Sequence, residues 1–351
     1  MKTPSKKAIL CANLGSPTAP DVASVREYLN EFLMDPQVIQ LPWLLRRMIV
    51  SLFVLPKRPF ASALAYQSIW REKGSPLVAS SMELLTQLQQ RLSIPVEMSM
   101  RYGSPSIEGQ ILKIVRENPI EELLFIPLYP HYADSTIKTS VLKVEEIIQN
   151  HQLNIKLSVQ NPFYQDEKYI EVLANSISPY IEHDFEHILF SYHGLPLSHL
   201  KTADPTHQHC LKLENCCTTE SIAHKTCYKH QTLITTQKLV EKLQLKSENY
   251  SLAFQSRLGR AKWLEPSTHN RIIELASQGV KNLKVVCPAF VTDCLETLEE
   301  IEIQAKETFQ QAGGQELTLI PCLNVHQQWV DLLVDWCGKF ENSIPLNVEN
   351  I

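Results

Sequence analysis

A chain of 351 residues with 44% hydrophobic and 20% charged residues is long enough for one large or two mid-sized globular domains, and too apolar to be disordered. Its formal net charge of −5 argues against nucleic acid as the main partner. No apolar run approaches the roughly 18 residues needed to cross a bilayer, and the basic, briefly apolar start is too short for a signal region, so the nine cysteines are expected as cytoplasmic thiols or metal ligands rather than disulfides.

In chain order, Ala8 to Asn13 reads as a buried strand ended by Leu14-Gly15-Ser16-Pro17. Asp21 to Met34 has helical spacing, with Val25, Tyr28, Leu29 and Leu33 on one side. Leu41 to Leu55 is the most apolar stretch, interrupted by Arg46-Arg47 and a serine. It reads either as a buried helix or as a lip resting on an anionic membrane surface with its basic residues at the interface. Further strands follow at Val96–Met100, ending in Arg101-Tyr102-Gly103, and at Leu123–Leu128, ending in Tyr129-Pro130-His131-Tyr132. A fourth runs from Ile155 to Val159.

From Tyr169 the pattern restarts. The run His187 to Phe190 ends in Ser191-Tyr192-His193-Gly194, Tyr250 to Phe254 in Gln255-Ser256-Arg257, and Leu283 to Phe290 in Val291-Thr292-Asp293-Cys294. Leu317 to Ile320 is the last strand, and an amphipathic helix spans 326–340. Each half has the same element order, which predicts two similar doubly wound, Rossmann-like parallel-sheet domains facing one cleft, where open α/β sheets bind ligands beyond the carboxyl ends of their strands. The expected boundaries are 1–165 and 166–325, with the 326–340 helix packing back on the first half. No GxGxxG or Walker pattern marks a nucleotide site.

At the strand ends, His193 is a candidate metal ligand or proton acceptor. Glu296 and Glu300 share a helix face, with Glu296 in the first turn. One imidazole and one carboxylate make a sparse, open site suited to a divalent cation that is passed on. Tyr102, Tyr129, Tyr132, Tyr192, Trp263 and Phe290 all lie at or just after strand ends, which points to a flat apolar ligand, with Ser75, Arg101 and Arg257 as candidates for its carboxylates. Between the two anchors, in the insert 204–230, Cys210, Cys216, Cys217 and Cys227 cluster in a way that suits a [2Fe–2S] centre or a structural Zn²⁺.

These stretches together resemble the ferrochelatase family, whose members insert Fe²⁺ into protoporphyrin IX to form protohaem. The resemblance rests on NLGSP, AYQSIW with GSPL, MRYGSPSI, PLYPHYADST, SYHGLP, FQSRLGRAKWLEP and CPAFVTDCLETLEE, in family order over nearly the whole chain. It implies a chelatase fold, His193 and Glu296 as the metal and catalytic pair, and Glu300 as a relay. It sets Leu14, Ser75, Arg101, Tyr132, Trp263 and Phe290 around the macrocycle. Some bacterial members carry an internal cysteine segment with a [2Fe–2S] cluster, which the 204–230 insert resembles. The chain departs from the family at Leu14, where a tyrosine or methionine is usual, and at His131, where many members carry Gln. His131 keeps open an auxiliary metal role and, with it, a Co²⁺ or Ni²⁺ tetrapyrrole chelatase; a non-catalytic haem or Fe–S sensor is the other alternative.

Overall fold

The computed structural model describes residues 5–182, 185–257, 259 and 261–350. They form two compact units. One holds the chain up to Tyr129, Asp134–Asn161 and Val325–Ile351; the other holds Pro130–Ala133 and Pro162–Asn324.

The first unit is built on a sheet of β1 (Lys7–Ser16), β2 (Val96–Gly103), β3 (Glu122–Pro127), β4 (Lys156–Gln160) and β9 (Val348–Asn350), in the order β2-β1-β3-β4-β9. The first four are parallel, and β9 runs antiparallel to β4. The unbroken apolar run of β1 is explained by burial on both faces. Ala8, Leu10 and Ala12 pack with Ile107, Ile111 and Val144 of the helices Ile107–Glu117 and Thr139–Asn150, while Ile9 and Cys11 are equally buried on the other side.

The second unit repeats the plan with β5 (His187–His193), β6 (Tyr250–Gln255), β7 (Asn282–Val286) and β8 (Glu316–Leu319), all parallel in the order β6-β5-β7-β8. Leu189, Ala253, Leu283 and Val285 form its core with Ile272, Ile301 and Phe309. The eight strands read from the sequence are all present; β7 is shorter than its apolar run because Pro288 cannot donate to a ladder. In each unit the first strand lies between the second and third, so the chain leaves it in opposite directions. That switch point is where a crevice opens in such sheets. Leu14 lies near the end of β1 and His193 ends β5.

The predicted final helix forms as Gln327–Glu341 and packs in the first unit against the Pro76–Arg91 helix, burying Trp329, Val330, Leu333 and Cys337. Arg91 Nη1 and Asp331 Oδ1, 2.5 Å apart, join the two helices.

The apolar stretch forms the helix Trp43–Ile49, a π-helical turn Val50–Val54 and the helix Arg58–Ile69. It is not a buried core helix: Leu44 is 76% exposed, Phe53 68% and Leu64 67%, and Trp43, Met48, Leu52 and Phe60 are exposed beside them. No single helix among the described residues is long and apolar enough to cross a membrane; the two flanking helices pass that test only as a pair bent by 68°. One detail of the lip reading is corrected. Arg46 is not at the interface but buried, with Nη1 donating to Leu41 O at 2.7 Å and Ile39 O at 3.3 Å, so it closes the loop before its own helix. Arg47 remains exposed and donates to Asn30 Oδ1 at 2.8 Å.

Candidate active site

The Ser191–Pro196 stretch explains itself once β6 is alongside. His193 pairs in register with Gln255, and Gly194 N donates to Gln255 O at 2.7 Å. An ideal Cβ on Gly194 would lie 2.8 Å from Gln255 O and 3.1 Å from Ser256 O, so only glycine lets the loop pass that close. Pro196 bridges to Trp263, and Leu264 N donates to Leu195 O at 3.0 Å, which holds the strand end against the segment after β6.

The His193 ring is then oriented by one local bond. Nδ1 donates to Gly194 O at 2.6 Å, which leaves Nε2 as the lone-pair nitrogen of a neutral imidazole. Burial lowers the His193 pKa below its ordinary value; the nearby Glu296 carboxylate opposes that shift, as does the bond to Gly194. Phe290 stands edge-on to the ring, with centroids 6.3 Å apart.

Glu296 is set by a different device. Asp293 Oδ1 accepts from Thr297 Oγ1 at 3.1 Å and from Cys322 N at 3.2 Å, and Asp293 Oδ2 accepts from Asn324 Nδ2 at 2.6 Å. Cys294 N in turn donates to Thr297 Oγ1, so the Leu295–Thr297 turn is capped from both sides. Gln255 Nε2 donates to Glu296 O at 2.6 Å, and Gln255 Oε1 accepts from Ser191 Oγ at 2.7 Å, tying the first turn to β5 and β6. The sequence predicts an α-helix beyond this point, but residues Leu298–Ala305 are π-helical. π segments are rare and cluster at functional sites. Glu300 lies in this widened stretch, accepts a hydrogen bond from Ser256 Oγ, and has its pKa raised to about 7, first by burial and then by the negative charge of Glu296. A cavity of about 430 Å³ is lined by Glu300, Ser256, Gln255, Arg257, His269 and Gln304; His193 and Glu296 are not part of its wall.

The other site residues divide by unit. Tyr132, Trp263 and Phe290 belong to the second unit, and each keeps part of its surface exposed. Leu14, Ser75 and Arg101 belong to the first. Leu14 is partly exposed, and Ser75 is the buried residue before the Pro76–Arg91 helix. Arg101 is occupied: Nη2 meets the buried Asp35 Oδ2 at 2.5 Å and Nε donates to Thr139 Oγ1 at 2.9 Å. Nothing in the sequence pairs Asp35 with Arg101, because 66 residues separate them. Arg257 pairs with Glu265 at 2.6 Å, and Leu258 and Arg260 of the same motif lie outside the described residues.

Three of the six strand-end aromatics are core, not ligand wall. Tyr102 is buried with its hydroxyl on Asp35 at 3.0 Å, Tyr192 is fully buried on Thr236, and Tyr129 is buried as well. The auxiliary metal role of His131 is corrected on the same ground. The ring is 2% exposed and packed between Tyr164, Tyr192 and Tyr228, Nε2 bonds Thr235 Oγ1 at 2.9 Å, and burial drives its pKa down to about 3.

The cysteine segment follows the helix Leu197–Ala203. Asp204 organises it: Oδ2 accepts from His209 N and Cys210 N, both at 2.9 Å, and Oδ1 from Thr206 N at 2.9 Å. Burial alone would raise the Asp204 pKa, yet these bonds together hold it well below the usual carboxylate range. Cys210, Cys216 and Cys227 are buried and Cys217 partly so. Cys210 and Cys217 both lie near enough to Cys227, and Cys217 to Cys216, for their thiols to influence one another. Among the described residues no His, Cys, Asp or Glu group already has metal-holding geometry. Sequence reasoning missed the histidines that brace this segment: His209 Nε2 and His224 Nε2 bond Cys216 O at 2.6 and 2.9 Å, and His230 Nδ1 bonds Cys217 O at 2.7 Å. Clustered His among Cys was the only signal, and it reads equally as ligand or support.

The fold class defined here, two α/β units built on parallel strands, is also that of solved chelatases. SirB from Bacillus subtilis with Fe³⁺ superposes with a TM-score of 0.55 at 13% identity, covering 95% of each chain. The sirohydrochlorin chelatase SirB from Bacillus subtilis subspecies spizizenii in complex with cobalt gives 0.54 at 12%, again over 95% of each. At such identity the likeness speaks for the fold alone. The sequence is more specific. A family profile described as Ferrochelatase matches residues 6–339. The Ferrochelatase of Stutzerimonas stutzeri (strain A1501) is 48% identical over 97% of this chain and 100% of its own length. That of Ectopseudomonas mendocina (strain ymp) is 50% identical over 96% and 99%. The chain belongs to the ferrochelatase family, lyases that insert ferrous iron into a porphyrin in haem biosynthesis.

Proposed function

We propose that protoporphyrin IX is the acceptor and that the second unit supplies the reacting groups, with His193 taking the pyrrole protons and Glu296 attracting the cation. The observation that carries this is the oriented neutral imidazole: Nδ1 is spent on Gly194 O, so a bare Nε2 is held beside a carboxylate. A planar porphyrin shields its nitrogen lone pairs. In the second unit Tyr132, Trp263 and Phe290 would use binding energy from the macrocycle to hold a bent ring whose N–H groups are accessible. Protons then pass to Glu300, whose pKa of about 7 suits accepting and releasing them near neutral pH. Because Arg101 is engaged by Asp35, its reading as a propionate partner requires the guanidinium to bind both carboxylates at once. His193→Ala is expected to lower kcat for Fe²⁺ insertion more than tenfold, about 1.4 kcal/mol in the barrier, in a protein with unchanged circular dichroism. Retention of more than about a tenth of the activity would remove His193 from this role.

The four insert cysteines fit a [2Fe–2S] centre by donor chemistry: four soft sulfurs close together on a backbone clamped by Asp204 and the histidines. Cys210, Cys216, Cys217 and Cys227 would hold it. Such a centre supplies one-electron chemistry, for which metal insertion has no use; the segment gains order instead. Anaerobically purified protein is expected to show a visible band that each Cys→Ser change bleaches, and full iron in all four variants would refute the assignment. The exposed apolar face around Leu44, Phe53 and Leu64 supports peripheral contact with an anionic membrane surface.

A further inference from the structure

The Tyr228–Lys242 helix turns a polar stripe inward. Gln231, Thr232 and Thr235 are fully buried and Thr236 nearly so. Thr236 meets the Tyr192 hydroxyl at 2.8 Å, next to His193, and Thr235 bonds His131. Gln231 uses both ends of its amide. Oε1 accepts Tyr132 N–H at 2.7 Å, while Nε2 donates to Lys225 O at 2.9 Å and His224 O at 3.2 Å. One buried side chain therefore joins the Pro130–Ala133 loop to the last turn of the cysteine segment, all inside one unit. A buried amide with three directed bonds has little freedom to move, and its loss leaves a donor and two acceptors without partners.

We propose that Gln231 is a positioning residue for the porphyrin: it sets the backbone of Tyr132 against the cysteine segment, so that order in that segment is transmitted to the macrocycle wall. The inference rests on the reading of Tyr132 as a porphyrin contact. It separates from general stability because the His193 and Glu296 end of the site has its own supports, Gly194 O and Gln255.

The test is steady-state kinetics of full-length Gln231→Leu and the milder Gln231→Asn, which is too short to span both partners. KM for porphyrin is expected to rise about fivefold or more in the Leu variant. KM for Fe²⁺ should stay within about twofold, and trypsin should cut the 204–230 segment faster. KM is independent of the folded fraction, so partial unfolding, which lowers only apparent kcat, does not imitate this result. A porphyrin KM within about twofold of wild type in both variants overturns the proposal. Tyr132→Leu, assayed in parallel, separates the two ideas. If it shifts porphyrin KM and the Gln231 variants do not, only the role of Gln231 falls; if it shifts nothing, the reading of Tyr132 falls and this proposal with it.

Discussion

Glu300 is held at a pKa of about 7 by burial and by Glu296 and Glu299, against which Ser256 Oγ donates a hydrogen bond. The sign of its effect on stability follows. From the ordinary value of 4.5 up to about 7 the folded chain keeps a proton that the unfolded chain has lost, so stability falls as pH rises through that window and levels off above it. The slope is on the order of 1.4 kcal/mol per pH unit at most. Glu300→Gln cannot ionise, so its urea midpoint is expected to vary less between pH 5 and 7.5 than that of wild type, with the variant the more stable at the upper end. Equal pH slopes for the two proteins would mean that Glu300 ionises normally. The carboxylate's position on the helix was legible in the sequence; its perturbation was not, because that depends first on burial within the folded unit.

At the scale of elements, the apolar segment 41–64 shows how two compositions that look alike diverge in space. The pattern of Leu, Trp and Phe fits a core helix or a surface anchor equally well, and only the neighbours decide. Here Val50 and Ala63 face inward while Leu44, Phe53 and Leu64 do not. Each large exposed side chain contributes about 1.5–3 kcal/mol on leaving water. Leu44→Glu with Phe53→Glu is therefore expected to weaken binding to anionic liposomes by more than tenfold in flotation, with a smaller loss for Arg47→Glu and a stronger effect at low salt. Arg46→Glu should instead lower thermal stability, since it strips the bonds to Leu41 O and Ile39 O. Undiminished flotation of the double glutamate variant would leave the exposed face without a lipid partner.

Across the whole molecule, the chain closes the first unit with its last segment. Helix Gln327–Glu341 covers that unit, Lys7 Nζ donates to Phe340 O at 2.8 Å at the helix end, and β9 pairs with the β4 edge. An edge strand left open is a site for wrong pairing. Trp329 is fully buried, and Trp329→Ala is expected to cost about 3–5 kcal/mol. Chemical denaturation should show that loss as a lower unfolding midpoint. A variant that unfolds at the wild-type midpoint would show that the helix is dispensable.

The sequence by itself determined the eight strands, the repeated order and the residues that end each strand, because these follow from local patterning: an apolar run long enough for one strand, then Gly, Pro and polar residues that stop it. His193-Gly194, Asp293 and Glu296 were legible for that reason. The tertiary structure alone decided which polar residues face one another. Asp35 reaches Arg101, Gln231 reaches Tyr132, and His131 enters a ring of tyrosines, all across long stretches of chain. A buried polar group must find a partner wherever the closed fold provides one, and no local period encodes that meeting. The inward threonines and glutamine of the Tyr228–Lys242 helix are a further case: their burial follows from packing within the unit and not from any local apolar period. The widening of Leu298–Ala305 into a π-helix and the pairing of Val348–Asn350 with the β4 edge likewise depend on surfaces that exist only after the sheets have formed.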